Sequence, residues 1–352
     1  MARVRLQDVA DHAGVSMKTV SNVVRDQPYV SEAMRARVQR SIDALGYRPN
    51  LVGRQLATGR TGSIALGIPR LAQPYFARLA SLVSDRAREL GYRVLIVETN
   101  SQLDAERALA QRLDAGFADG VLFQPSRMTT EELAGRDDLP MVLLGESTPP
   151  ASMDRVCIDN VAAAHDVTEH LIAAGRRRIA FVGHEVEELS DTSMLRIAGY
   201  ERALAAHGIA VDPELLIATG GGAEGAVREV GAALAAGLEI DAIACRDDLA
   251  ALGALRAAQR HGLRVPDDIM ITGWDDIFMT EVSYPSLTTI SPNLDELVGT
   301  ALAFLTERID GLDQPGRHVV VPYELVARES APAGGGGGTG AGAGTGAGTG
   351  TA

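Results

Sequence analysis

The stretch Leu6-Gln-Asp-Val-Ala-Asp-His-Ala-Gly-Val-Ser-Met-Lys-Thr-Val-Ser-Asn22 decides how the chain begins to fold. Leu6, Val9, Ala10 and Ala13 fall at i, i+3, i+4 and i+7, which places one apolar stripe on a helix. Gly14 stands where a helix ends with positive φ, Val15 plugs the corner, and Ser16 is positioned to cap a second helix running from Met17 to Arg25. On that second helix Val20, Val23 and Val24 face inward, leaving Met17, Lys18, Ser21 and Asn22 outside. A third amphipathic segment, capped by Ser31, turns Met34, Val38, Ile42 and Leu45 inward. Residues 1–49 thus form a three-helix unit with a helix-turn-helix, whose second helix presents polar side chains to a DNA groove. A plain αα-hairpin would leave the same face merely solvated. The coincidence of tight corner, apolar plug and cap favours the DNA-facing reading.

Charge is divided in the same way. Residues 1–60 carry ten Lys and Arg against five Asp and Glu, while the remainder carries a formal −18 within a chain total of −13. Only the N-terminal unit is built to approach a polyanion. Lys18 is the single lysine of the chain, and it lies on the outward face of the second helix.

Asp8-Val9-Ala10, Ala13-Gly14-Val15-Ser16 and Thr19-Val20-Ser21 together resemble the N-terminal signature of the lactose-repressor/galactose-repressor (LacI/GalR) family of bacterial transcription regulators. The resemblance implies that Met17, Lys18 and Asn22 reach base edges, and that Ser16, Thr19 and Ser21 hold phosphates or cap the helix; Leu6 belongs to the same DNA-facing set.

Tyr47-Arg48-Pro49 interrupts the helical pattern, and Asn50 can then cap about two turns through Ala57, too short to be stable alone in water. By resemblance residues 50–61 are the hinge helix and linker, with Asn50, Arg54 and Leu56 on the DNA and Leu56 wedged into the minor groove of a palindromic operator bound by a homodimer. Gly53 stands where alanine is common, which costs about 1 kcal/mol of helix propensity. A plain linker is the alternative.

From Ser63 onward strands alternate with helices. Ile64–Ile68, Val94–Val97, Val121–Phe123 and Met141–Leu144 read as strands, and Phe76, Leu79, Leu82, Val83 and Leu90 stripe a helix. A second series starting near Val161 has strands Ile179–Val182, Ala242–Cys245 and Ile269–Thr272, with helices Met194–His207 and Leu249–His261. Repeated βα units predict an α/β core of parallel sheets in two lobes. Pro74-Tyr75-Phe76, Asp159-Asn160, Arg196-Ile197-Ala198-Gly199-Tyr200, Gly273-Trp274-Asp275-Asp276 and Pro285–Ile290 resemble landmarks of the same family, which implies a core like that of periplasmic sugar-binding proteins. The expected core spans 62–330, with lobe one at about 62–161 and 291–315 and lobe two at about 162–290 and 316–330. Residues 331–352 form a Gly/Ala/Thr tail whose composition predicts disorder.

Ligands of open parallel sheets sit beyond the carboxyl ends of the strands. Those positions hold Gln73, Tyr75, Phe76, Glu146, Thr192, Arg196, Asp247, Trp274 and Asp275, a candidate effector site in an interlobe cleft. Carboxylates accept from hydroxyls, Arg196 donates a planar fork, and aromatic rings stack on apolar sugar faces. The resemblance points to the same place, since it puts Tyr75, Phe76, Arg196 and Asp275 in the effector pocket. Asp247 and Asp276 can equally cap helices, and Trp274 can be core.

Other functions are disfavoured. Gly220, Gly222 and Gly225 match GxGxxG after the possible strand Leu215–Ala218, the mark of a nicotinamide-dependent enzyme, but the match lies mid-chain. Asp247 and Asp275 as a hydrolase pair would leave the helix-turn-helix without a task. The seven histidines show no metal spacing, Cys157 and Cys245 read as free thiols of a reducing cytoplasm, and no cofactor is implied. No export signal or membrane-spanning run is expected, so an exported binding protein is disfavoured too. The sequence therefore predicts a cytoplasmic, dimeric repressor of carbohydrate-utilisation genes, not an enzyme, that answers to a sugar or similar small polar effector.

Overall fold

The computed structural model describes residues 4–24, 27–47, 59–114, 116–134, 140–187 and 189–333, without the side chains of 112–114. Arg25, the hinge residues Asn50, Gly53, Arg54 and Leu56, and the tail beyond 333 lie outside the described residues. The chain divides between Gly62 and Ser63 into two compact units.

The first unit consists of α1 (Leu6–Ala13), α2 (Met17–Val24) and α3 (Glu32–Leu45). Val9, Ala10, Ala13, Val20, Val23 and Val38 form its buried centre, with Leu6, Val15, Val24, Met34, Ile42 and Leu45 packed around them. Gly14 ends α1 at φ +63°, and a Cβ there would lie 2.7 Å from a guanidinium nitrogen of Arg37. Glycine is favoured at the corner by its dihedral, while the Arg37 side-chain end can move aside.

The second unit has two lobes. In the first, β1 (Ser63–Ile68), β2 (Arg93–Glu98), β3 (Val121–Phe123), β4 (Met141–Leu144), β5 (Asp154–Ile158) and β11 (His318–Val321) lie in the order β11-β5-β4-β3-β1-β2, all parallel. On one face α4 (Pro74–Glu89) and α12 (Leu294–Ile309) supply Phe76, Leu79, Val83, Leu297, Leu302 and Leu305. The other face holds Leu109 and Leu133, from α5 (Leu103–Asp114) and α6 (Thr130–Leu133). β1 is buried along its whole length, which is why it reads as an unbroken apolar run.

In the second lobe β6 (Ile179–His184), β7 (Leu216–Ala218), β8 (Ala242–Cys245), β9 (Met270–Trp274), β10 (Thr288–Pro292) and β12 (Tyr323–Val326) lie in the order β12-β10-β9-β8-β6-β7. Its faces are covered by α7 (Asn160–Ala173) with α8 (Asp191–Ala206), and by α9 (Gly222–Ala235) with α10 (Asp248–Arg260). A short α11 (Met279–Val282) follows β9.

Several sequence expectations need correction. The second sheet is mixed, because β12 runs antiparallel to β10. The third lobe crossing falls at Pro322 instead of near Gly316, since one extended segment supplies β11 to the first sheet and β12 to the second. Arg317 holds that segment in the first lobe by donating to Asp154 of β5 at 2.8 Å from its backbone and 2.9 Å from Nη2. The other two crossings fall at Asp159, between β5 and α7, and at Asn293, between β10 and α12. Leu90, placed on the buried stripe, is 52% exposed, because α4 ends at Glu89 and Leu90 is its C-cap. The strand expected at Ile269–Thr272 runs to Trp274, so Trp274 ends the strand instead of following it.

Candidate functional site

The first candidate surface is α2. Ser16 caps it, its Oγ accepting from the Thr19 backbone N–H at 3.1 Å and lying 2.9 Å from Thr19 Oγ1. Val20 and Val23 tie the helix to the unit's core, so rotation about its axis is fixed by packing. Met17, 49% exposed, and Lys18 stand fully outward, while Thr19, Ser21 and Asn22 are half-buried. Leu6 is half-buried against the core on α1, so its contribution is first to packing.

The second is a cavity of about 90 Å³ between the two lobes. It is lined by all nine residues read from the sequence: Gln73, Tyr75, Phe76, Glu146, Thr192, Arg196, Asp247, Trp274 and Asp275. Gln73 to Phe76 open α4 after β1, and Tyr75 meets Phe76 edge-on at a centroid distance of 5.1 Å. Glu146 follows β4, Thr192 and Arg196 lie on the first turns of α8, Asp247 follows β8, and Trp274 and Asp275 sit at the end of β9.

These side chains are joined by a hydrogen-bond chain. Asn160 Nδ2 donates to Glu146 Oε1 at 2.8 Å, and Thr192 Oγ1 donates to Glu146 Oε2 at 2.9 Å. Arg196 Nε donates to Asn160 Oδ1 at 2.8 Å, its Nη1 donates to the Arg246 carbonyl, and its guanidinium lies 3.7 Å above the Trp274 ring. Trp274 is at once core and lining, since it packs on Ala163, Ala164, Val167 and Ile290. Asp247 likewise does both things, its Oδ1 capping α10 through the Ala250 N–H at 2.8 Å.

Asp275 differs from the other carboxylates of the lining. Among the described residues its carboxyl has no hydrogen-bond partner, and the exposure it retains is toward the cavity. Burial pushes that carboxyl well above the ordinary carboxylate range; Arg196 opposes the shift, and the charges of Asp248 and Asp247 add to it. Its φ of +103° and the +52° of Asp276 are conformations that cost non-glycine residues of order 1 kcal/mol or more. Burial also raises the Tyr75 hydroxyl pKa, and the charges of Asp275 and Glu146 add to it.

Sequence reasoning missed Gln124, Arg246 and Asp248 in the lining and Asn160 at the centre of the chain. Arg246 and Asp248 flank Asp247 after β8, so the strand-end rule that found Asp247 reached them as well. Gly220, Gly222 and Gly225 lie elsewhere: their loop follows β7, the edge strand of its sheet, and does not line the cavity. A dinucleotide fingerprint belongs at the topological switch point, which in this sheet is at β6 and β8. Gly225 instead lets α9 approach Thr219, whose carbonyl oxygen would sit 2.1 Å from a Cβ there. Among the described residues no helix is long and apolar enough to cross a membrane.

A helix-turn-helix unit followed by a two-lobed α/β core with a polar interlobe cleft defines the class of ligand-responsive DNA-binding regulators. The comparisons narrow it. Residues 5–50 match the model of bacterial regulatory proteins of the lacI family, and residues 168–331 match a periplasmic binding protein-like domain. The transcriptional regulator RegA of Clostridium saccharobutylicum is 31% identical over 333 residues, covering 92% of this chain and 98% of its own. The lac repressor dimer bound to operator and the anti-inducer ONPF superposes with a TM-score of 0.81 at 28% identity, covering 94% of this chain and 100% of its own. The regulator CelR in complex with cellobiose gives 0.68 at 28% identity, covering 93% and 100%. The chain belongs to the LacI family of bacterial regulatory proteins and is a DNA-binding transcriptional regulator.

Proposed function

We propose that the chain is a dimeric repressor of carbohydrate-utilisation genes, acting in the cytoplasm, whose interlobe cleft binds a sugar or a similar small polar effector without turning it over. The cleft carries this reading: Arg196 offers donors, Asp247 and Asp275 offer acceptors, and Tyr75 and Phe76 offer rings in one cavity bounded by both lobes, with Trp274 beneath Arg196. A polyhydroxylated ligand needs that combination. The lac repressor with its anti-inducer and CelR with cellobiose, both similar over nearly the whole chain, support the ligand class.

Each α2, with Met17, Lys18 and Asn22 toward base edges and Ser16, Thr19 and Ser21 toward phosphates, enters one major groove of a palindromic operator. Residues 50–61, including Asn50, Arg54 and Leu56, form the hinge that enters the central minor groove. Effector binding changes lobe orientation and, through that hinge, operator affinity by a coupling of about 1 to 3 kcal/mol. Gel-shift and bending assays on Leu56→Ala test the hinge. Loss of both affinity and bending supports it, and unchanged values on both counts overturn it.

A further inference from the structure

In the wall of the cleft lies a carboxylate whose two oxygens are both turned to the protein's own donors. Asp248, the first residue of α10, is 1% exposed. Its Oδ1 accepts from Thr289 Oγ1 of β10 at 2.6 Å, and its Oδ2 accepts from the backbone N–H of Ile277 at 2.9 Å. Gly273 of β9 makes room for it: a Cβ there would lie 2.1 Å from Asp248 Oδ1, and Gly273 pairs with Thr289 on the neighbouring strand. One carboxylate thus ties α10, β10 and the Asp275–Ile277 loop together. That loop carries the cavity's unpartnered carboxyl, Asp275, in a left-handed conformation that must be held in place.

We propose that Asp248 is the positioning residue of the cleft, and that protonation of its carboxylate loosens the Asp275–Ile277 loop and couples the effector site to pH. The ionised group accepts two charge-assisted hydrogen bonds; protonation leaves a neutral, weaker acceptor in front of the Ile277 N–H. Thr289 can turn its hydroxyl to accept instead, but a backbone N–H cannot. The charged groups that act on Asp248 are Asp247, the N-cap of its own helix, and Asp275 and Asp276 on the loop; Arg196 and Arg246 act on Asp275, and Arg328, beyond β12, on Asp276. Arg328 is committed to Asp276 at 2.7 Å, and among the described residues no cation lies within ion-pair distance of Asp248. Burial accordingly holds its pKa up at about 7; the hydrogen bonds from Thr289 and Ile277 pull it down, while Asp247 and Asp276 push it up. Only the consequence for effector affinity rests on the cleft being the effector site; the link from Asp248 to its surroundings does not.

Trp274, the single tryptophan of the chain, ends β9 immediately before the loop and reports on it without any ligand. The test is its emission from the full-length protein, titrated from about pH 5.5 to about pH 8.5, in the native chain and in Asp248→Asn. A transition with its midpoint near pH 7 that Asp248→Asn removes is the expected result. A flat native profile, or the same transition surviving in the variant, overturns the proposal. Should Asp248→Asn fail to fold, Thr289→Val removes a donor to the ionised form and is expected to raise the midpoint by about one unit. An unmoved midpoint in that variant overturns the proposal equally.

Discussion

Glu146 Oε2, at the end of a first-lobe strand, accepts a hydrogen bond from Thr192 Oγ1 of the second lobe at 2.9 Å. The other oxygen of Glu146 is taken by Asn160 at 2.8 Å, beside the crossing at Asp159. Both oxygens that sequence reasoning assigned to an effector are therefore already engaged in joining the lobes. Glu146 is a latch first, and a ligand that used it would share its oxygens with Thr192 and Asn160.

Thr192→Val keeps the size of the side chain and removes that bond. The expected cost is about 1 kcal/mol of stability in urea unfolding. Small-angle scattering should show a larger mean lobe separation than in the native chain; unchanged scattering would mean the latch does not set the lobe angle.

Arg196 is braced by Asn160, by the Arg246 carbonyl and by the Trp274 ring. Burial lowers its pKa, with Asp275 and Glu146 opposing, so the guanidinium is held in place by these partners and not by solvent. Arg196→Met should alter Trp274 emission. For any ligand that shifts emission in the native chain, it should lower affinity by about 2 kcal/mol, roughly 30-fold. Calorimetric titration measures it.

Asp154 has no exposed surface and is gripped by Arg308 at 2.9 and 3.0 Å and by Arg317 at 2.9 Å. Burial alone would raise its pKa, but the hydrogen bonds from Arg308 and Arg317 outweigh it and hold the group at about 2. A folded pKa below the unfolded value of about 3.9 means stability that is fully present above pH 4 and lost as pH falls toward 2. Denaturant unfolding between those values should show that loss. Asp154→Asn should reduce the dependence and cost about 3 kcal/mol at neutral pH by depriving Arg308 of its carboxylate and Arg317 of one of two.

Lys18 is fully outward on α2, and no other lysine competes for its role. Lys18→Gln is expected to change base preference at one position in each half-site and to cost about 1 to 3 kcal/mol of specific binding. Selection from random duplexes checks the first, and titration on the selected site checks the second.

What was legible in the sequence follows physical lines. β1, β3, β4 and β8 are buried along their whole length, so each stands out as a short apolar run. β5 mixes buried and half-buried positions and carries Asp154 and Arg155, while β11 and β12 are mostly half-buried or exposed, and they passed unread. The cleft residues were legible because chain direction in a parallel sheet places strand ends together. The Glu146 latch was not, because Glu146 and Thr192 are separated by a lobe boundary that only the fold closes. Asp248 was hidden by Asp247, whose capping and lining roles explained the pair too readily.

Under the proposed function, this chain reads a two-fold DNA site as a dimer and residues 1–60 do the reading. The most direct measurement is selection of bound sequences from random duplex DNA at near-physiological salt, with the full chain and with a variant lacking that segment. Enrichment of a palindromic site with a fixed centre by the full chain, lost in the truncation, is the expected result. No enrichment by the full chain, with or without added small-molecule extract, would contradict it.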